Sequence, residues 1–338
     1  MGTRRVRGRL PLVKAVTLAL VTVAAVVLVA GCSGGGAADG ARPEKPDLNV
    51  AVDPGVDSAG FFIALDRGLF KARGLTVNFI AAASTQSAVA GQVAGTYDIT
   101  GGNYVSYIQA QQQSQARLDI FAEGSVMGPG TQGIYTVPGS PVTTIDDLKG
   151  QTVAISAPDN ILYLLTASLL AEHGVSPRSV HFATIPFSEM PAELESRAVS
   201  AAVLQEPYAS DDEEDLGDVS LADLDQGATT SFPVEGYAVT QQWAAKYPNT
   251  LAAFYTALEQ GQQIADASRS AVEQAMENMP APYGVSVGTA AVMGLDSYPV
   301  SDGPVGSVDR VRLQRVADVM TQFLGFPKFD IGSMLMSS

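Results

Sequence analysis

The chain has 338 residues, 46% of them hydrophobic, with 20 Lys+Arg against 35 Asp+Glu and one Cys. That length fits about two domains with ordinary cores, so folding needs no disulfide or metal, and one Cys excludes an intramolecular disulfide or a Cys-rich zinc site. A formal charge of −15 excludes a basic nucleic-acid footprint, and two histidines, His173 and His181, leave little for a His-based metal centre or a conventional triad.

Residues 1–31 hold Arg4, Arg5, Arg7, Arg9 and Lys14 and no acid, leaving 15 basic against 35 acidic residues in the remainder. The apolar run Ala15 to Ala30 has about the length of a signal-peptide core and is short for a span of ~20 residues. Val29-Ala30-Gly31-Cys32 resembles the lipobox of bacterial lipoproteins. That resemblance implies cleavage before Cys32, acylation of the new terminus, and a membrane anchor worth ~0.8 kcal/mol per buried CH₂. The expected organisation begins with a signal peptide over 1–31 and a flexible tether over 32–46, rich in Gly and Ala with Pro43 and Pro46 near its end.

The folded part is expected from Leu48 onward. Strands are predicted at Leu48–Val52, Leu75–Ile80, after the Gly95–Ile99 turn, and at Leu118–Ala122 and Gly133–Val137. Between them, helices are predicted over Ala59–Lys71, ended by Gly74, then from Ser84 to Ala94 and over Asn103–Gln113. A second block repeats the style. Strands at Gln151–Ile155, Val180–Ile185 and Ala201–Leu204 alternate with helices over Asn160–His173 and Met190–Ala198. The run Asp211–Asp215 reads as a solvated loop. Tyr237–Thr240 is a further strand, and helical spacing returns at Trp243–Tyr247, Thr250–Ala267, Ala271–Glu277 and Val308–Leu324. Alternating βα units indicate an α/β protein with mostly parallel sheets. Gly95–Ile99 and Ala198–Val203 lead into strands at similar places in each half, which suggests two similar lobes.

In open α/β sheets ligands sit beyond the carboxyl ends of the strands, where helix amino termini converge. Three turns there carry small polar residues: Ser84-Thr85, Thr100 to Asn103, and Ser156 to Asn160 with Asp159. Ser84, Asn103 and Asp159 would equally serve as helix caps. Asp53, Asp57, Glu123 and Glu206 stand at the same edges. No nucleophile-with-base spacing, P-loop or GxGxxG accompanies them, so hydrogen-bonded binding is the reading, with no catalytic residue, metal or cofactor. Tyr104, Tyr163 and Tyr208 are the aromatic candidates for a cleft, since a phenol joins an apolar face to a polar end. Phe62 and Phe70 read as core.

These features resemble the solute-binding proteins of ABC importers, in the group that takes nitrate, sulfonate, taurine and pyrimidine precursors. Gly60-Phe61-Phe62-Ile63-Ala64-Leu65-Asp66-Arg67-Gly68-Leu69-Phe70 with Gly74-Leu75-Thr76-Val77 carries the likeness most specifically. Gly95–Ile99, Asp147–Ala154, Leu204-Gln205-Glu206-Pro207-Tyr208, and Pro248 with Phe254 extend it from about Leu48 to Leu324. Arg197–Ala201 departs from the pattern, lacking the Gly and Asp usual at the second turn. The Cys-rich motif and the His of the group's pyrimidine-forming enzymes are absent from the sequence.

The resemblance implies a two-lobed, type II periplasmic-binding-protein-like α/β fold with two crossing strands and a cleft between lobes. It places lobe one at 47–137 plus 239–338 and lobe two at 138–238. It further implies a monomer that captures a small-molecule solute for a permease and its ATPase at the extracytoplasmic face. The expected ligand contacts are Asp57, Ser84, Thr85, Thr100, Asn103, Tyr104, Glu123, Ser156, Asp159, Tyr163, Glu206 and Tyr208. Within the group, the acidic edge residues favour a neutral or cationic solute, such as a pyrimidine-type thiamine precursor, over sulfonate, nitrate or taurine. A secreted hydrolase using the carboxylates and a ligand-free surface sensor or adaptor are the alternatives.

Overall fold

A computed structural model describes residues 1–2, 42–158 and 160–336; the apolar amino-terminal segment, Cys32, most of the tether, and Asp159 lie outside the described residues. The chain divides into two units, Met1–Gly36 and Ala37–Ser338, and all the elements below belong to the second. Among the described residues no helix is long and apolar enough to cross a membrane.

Among the described residues ten strands form two sheets of five. They are β1 (Asp47–Val52), β2 (Thr76–Ala81), β3 (Ile99–Asn103), β4 (Leu118–Val126) and β5 (Gln132–Thr136), then β6 (Thr152–Ile155), β7 (His181–Thr184), β8 (Ala201–Gln205), β9 (Val219–Asp223) and β10 (Pro233–Thr240). The first sheet has the order β2-β1-β3-β10-β4 and the second β7-β6-β8-β5-β9. In each, three strands run parallel and the last two pairings are antiparallel. The two orders are the same pattern, and β3 and β8 hold equivalent places. The paired turns before them in the sequence therefore mark a real structural repeat.

Strands covered on both faces are apolar throughout, as in Val50-Ala51-Val52 and Ala201-Ala202-Val203-Leu204, all buried. On the first sheet the helix Ala59–Asp66 turns Phe61, Phe62 and Ile63 into the core beside the long helix Pro248–Ala267. Phe70 stacks on Phe254 with ring centroids 4.7 Å apart. The second sheet is covered by Ile161–Glu172, whose Leu162, Leu165 and Leu169 pack near Val153 and Val203.

Some expectations change. The helix expected over Ala59–Lys71 breaks at Gly68, which adopts φ +67°, and resumes as Leu69–Ala72. The acidic run 211–215 is not a loop but part of the helix Tyr208–Leu216, ended by Gly217 at φ +69°. Strand β9 and the short helix Val287–Val292 have no forerunner in the sequence reading.

The chain leaves the first sheet after Val126, enters the second at Gln132, and returns between Asp223 and Pro233. The crossings run side by side: Met127 N donates to Phe232 O at 2.8 Å, and Leu224 N to Gln132 O at 2.9 Å. The junctions expected at 137/138 and 238/239 thus differ from the sheet changes, because β5 pairs with β8 and β9 while β10 pairs with β3 and β4. Strand partnership is a long-range property, and a local apolar run does not show it.

Candidate ligand-binding site

The carboxyl edges of the two parallel sets face one another. The turn after β1 meets the turn after β8, where Val56 N lies 3.5 Å from Glu206 O. Gly55 allows this approach, since a Cβ there would sit 3.3 Å from Gln205 Nε2.

Most of the small polar residues at this edge serve their own helices. Ser84 accepts from Ser87 N at 3.1 Å and closes a capping box on the helix Thr85–Val93. Asn103 caps Tyr104–Gln112 through Ser106 N at 2.9 Å, and Thr85 Oγ1 accepts from Asn103 N and Nδ2 at 3.1 and 2.9 Å. On the second sheet the cap of Ile161–Glu172 is Asn160, which accepts from Tyr163 N at 3.0 Å and donates to Ser156 Oγ at 3.1 Å. Asp159, expected as cap or contact, lies outside the described residues.

Other expected contacts are committed elsewhere. Thr100 and Tyr104 are fully buried, and Thr100 Oγ1 accepts from Tyr107 at 3.1 Å. Glu123 Oε1 accepts from Asp309 N and its Oε2 from Arg312 Nη1, both at 2.8 Å. Glu206 accepts from Ser210 Oγ at 2.8 Å, Ser210 N at 3.2 Å and Gly294 N at 3.0 Å. Burial raises both glutamates, and these bonds lower them in turn. Tyr163 meets Phe182 edge-on at 4.9 Å. These residues pack into the walls, and the buried Tyr104 hydroxyl has no hydrogen-bond partner among the described residues.

What remains at the junction is acidic and aromatic. Asp57 shares a buried group with Glu235 and Asp296, and Asp53 stands beside it. Ser58 Oγ donates to Glu235 Oε1, Ser125 Oγ to Asp57 Oδ1 at 3.4 Å, and Gly128 N to Asp296 Oδ1 at 3.2 Å. Burial pushes Asp53 up to about 6. It lifts Asp57 well above the carboxylate range, and the neighbouring Asp296 adds to the rise. Burial also lifts Glu235 well above that range. Among the described residues no ion pair involves any of these four acids. Without a cation the group keeps protons, because like charges this close in a dry site cannot all ionise.

Against this group the second sheet sets Tyr208, stacked on Phe187 at 4.8 Å. Burial, then the charge of Asp53 and the nearby Tyr283, push the Tyr208 phenol up to about 12. Tyr283 meets Phe79 edge-on at 6.3 Å. Asp57 and Tyr208 are therefore the expected contacts brought to the junction, together with Asp53. Glu235, Asp296, Phe187 and Tyr283 were not anticipated; of these only Glu235, beside the recognised strand at Tyr237, carried a usable sequence signal. Along the same edge a cavity of about 380 Å³ opens between Ser84, Gln86, Ser106 and Gln109 of the first sheet's helices and Ala157-Pro158 of the second.

Two sheets of one topology, joined by paired crossings and meeting at their strand ends, define a two-lobed α/β protein with the periplasmic-binding-protein fold. The chain belongs to the NMT1/THI5-like family, whose description matches residues 56–269. Its fold is similar to that of the alkanesulfonate-binding protein SsuA from Xanthomonas axonopodis pv. citri bound to MOPS. That chain is 16% identical with a TM-score of 0.70, and the match covers 86% of this chain and 98% of that one. The desulfurization enzyme DszB is also similar, at 17% identity and a TM-score of 0.60 over 86% of this chain and 96% of the other. In sequence the chain is 26% identical over 233 residues to the bicarbonate transport ATP-binding protein CmpC of Synechocystis, covering 64% of this chain. It spans about a third of the length of that relative, 34%.

Proposed function

We propose that this protein captures a small organic solute outside the cytoplasmic membrane and delivers it to the permease and ATPase of an ABC importer, anchored by lipid on Cys32. The carrying observation is the meeting of two like lobes at Val56 and Glu206 beside Asp53, Tyr208 and Tyr283. A solute that bridges the two edges would favour the closed arrangement through its differential affinity. SsuA, which binds a sulfonate, and CmpC, a transport component, support an import role. DszB shows that the fold also carries catalysis. Binding is favoured here because Ser58, the hydroxyl paired with Glu235, is fully buried and closed to a substrate.

The solute is neutral or cationic, such as a pyrimidine-type thiamine precursor or another heterocycle. Asp53, at about 6, is ionised at neutral pH and disfavours sulfonate and nitrate while attracting a cation, whereas Tyr208 on Phe187 offers a flat face for a ring. Thermal melts of the full chain with an aminopyrimidine, putrescine, ethanesulfonate, taurine and nitrate test this. The aminopyrimidine or the amine should raise Tm through mass action, and Asp53→Asn should weaken that effect. Stabilisation by the anions alone, undiminished in Asp53→Asn, would reject this solute class.

A further inference from the structure

Besides the two crossings, residues 286–297 also touch both lobes. This segment is rooted in the first lobe, where Met293 and the nearby Tyr298 belong to the apolar core. Arg269 Nη2 donates to Ala291 O and Met293 O at 3.1 and 2.8 Å. Ser297 pairs with Val126, at the end of β4, through two backbone hydrogen bonds of 2.9 Å. The segment then follows the first crossing, where Gly128 N donates to Asp296 Oδ1 at 3.2 Å. A Cβ on Gly294 would lie 2.7 Å from the Gly130 carbonyl, and one on Gly128 would strike Leu295 O.

On its other side the segment holds the second lobe. Gly294 N donates to Glu206 Oε1 at 3.0 Å, and Thr289 Oγ1 donates to Asp211 Oδ1 at 2.7 Å. Glu206 and Asp211 flank Tyr208 at the start of the helix Tyr208–Leu216, which packs through Ala209 against Ala202 and Leu204 of β8. A hydroxyl has one hydrogen to give; Glu214 Oε2, at 3.3 Å, is the further acceptor. Thr289 is only 1% exposed, which keeps water from competing for the bond. A carboxylate acceptor makes it stronger than a bond between neutral groups.

These bonds differ in kind from the crossings. The crossings are covalent and persist when the lobes part, whereas the bonds at Thr289 and Gly294 must break. The junction acids Asp57, Glu235 and Asp296 are all buried, so a solute reaches this place when the lobes part. None of the bonds involves a solute. They favour the joined arrangement by the same factor whether the junction is filled or empty, so they slow entry and escape alike and leave affinity unchanged.

We propose that residues 286–297 form a clasp that gates the solute junction, with the Thr289 hydroxyl on Asp211 as its releasable bond. The proposal rests on the solute-binding reading of the junction and adds to it the control of exchange. Thr289 acts through Asp211 and the helix that carries Tyr208, without touching the solute.

The test is stopped-flow binding of putrescine and an aminopyrimidine to the full chain, with hydrogen exchange at Val56 N, the amide that meets Glu206 O across the lobes. Thr289→Val keeps the side chain's shape and the cap of its helix, since Ser286 Oγ accepts from the backbone N of residue 289. It should raise the entry and escape rates about tenfold each with Kd unchanged, and speed exchange at Val56 by the same factor, the effect of one lost hydrogen bond. Thr289→Ser should restore wild-type rates. Asp211→Ala with Glu214→Ala removes both acceptors from the second lobe and should match Thr289→Val; combining all three should add nothing further. That pair also serves should Thr289→Val disturb folding. A merely structural threonine would lower Tm and speed exchange within Val287–Val292 while leaving Val56 and both rates as they are, which overturns the proposal. A rise in the escape rate alone overturns it too, because it marks a solute contact and not a gate. If neither probe binds the wild type, the solute-binding reading fails, and exchange at Val56 still decides the clasp: acceleration in Thr289→Val upholds it, and no change overturns it.

Discussion

Glu123 and Glu206 show how differently one residue type behaves at a strand end. Both stand where a ligand contact is expected, and both are consumed by the chain itself, Glu123 by Asp309 N and Arg312 and Glu206 by Ser210 and Gly294. Replacing Glu123 with Ala strands the Asp309 amide and one guanidinium. Arg312 is still partly exposed to water, so the expected loss is about 1–3 kcal/mol in urea unfolding, with faster hydrogen exchange in Arg310–Val319. An unchanged urea midpoint would show that the pair contributes nothing. The sequence could not reveal this role, because Arg312 lies 189 positions away from its partner. Ser84 and Asn103 were legible as caps, since a cap is written within three residues of the group it satisfies. Tyr104 looked suited to a cleft by residue type, yet the turn of its helix points it into the core.

At the level of elements, close helix packing turns on two glycines. The helix Ala59–Asp66 crosses Pro248–Ala267 where a Cβ on Gly261 would land on the carbonyl oxygen of Gly60, and one on Gly60 would strike the Gln262 amide. Gln262 in turn donates to Glu123 O at 3.0 Å, tying the crossing to β4. Gly261→Ala must push the helices apart, at a cost of about 2 kcal/mol or more. A calorimetric Tm equal to wild type would show that the crossing tolerates a methyl. The opening segment from Gly60 to Phe70 was the most recognisable part of the sequence, and its glycine has this steric basis. The acidic helix Tyr208–Leu216 was hidden for the opposite reason. Its charge suggests a loop, but Glu206 holds its first turn through Ser210 N, and Asp212 turns inward, where burial raises its carboxyl to about 7.

For the whole molecule, net charge was readable and its placement was not. The acids are not only a solvated coat. Asp53 sits at about 6, Asp212 and Glu259 at about 7, and Asp57 and Glu235 are raised further, each chiefly by burial. A raised carboxyl makes the folded state hold protons that the unfolded chain releases above about pH 4. Stability from these groups is therefore full below about pH 4 and declines as pH rises through 6 and 7. Glu44, Asp147 and Asp330 are lowered instead and lose their contribution only as pH falls through the ordinary carboxylate range. The urea midpoint should thus be higher at pH 5 than at pH 7.5, and Asp53→Asn should flatten the difference. A midpoint that rises from pH 5 to pH 7.5 would contradict the buried-acid account.

The exchange of strands between the two sheets also sets an order of assembly during synthesis. β10, which fills the place between β3 and β4, is made after every strand of the other sheet. Until residue 240 has left the ribosome, β3 has an open edge and β4 has no neighbour in its sheet. The amino-terminal half cannot close on itself as it emerges. The nascent chain stays incompletely folded for most of its length, the condition in which an extended polypeptide can still be threaded through a membrane channel.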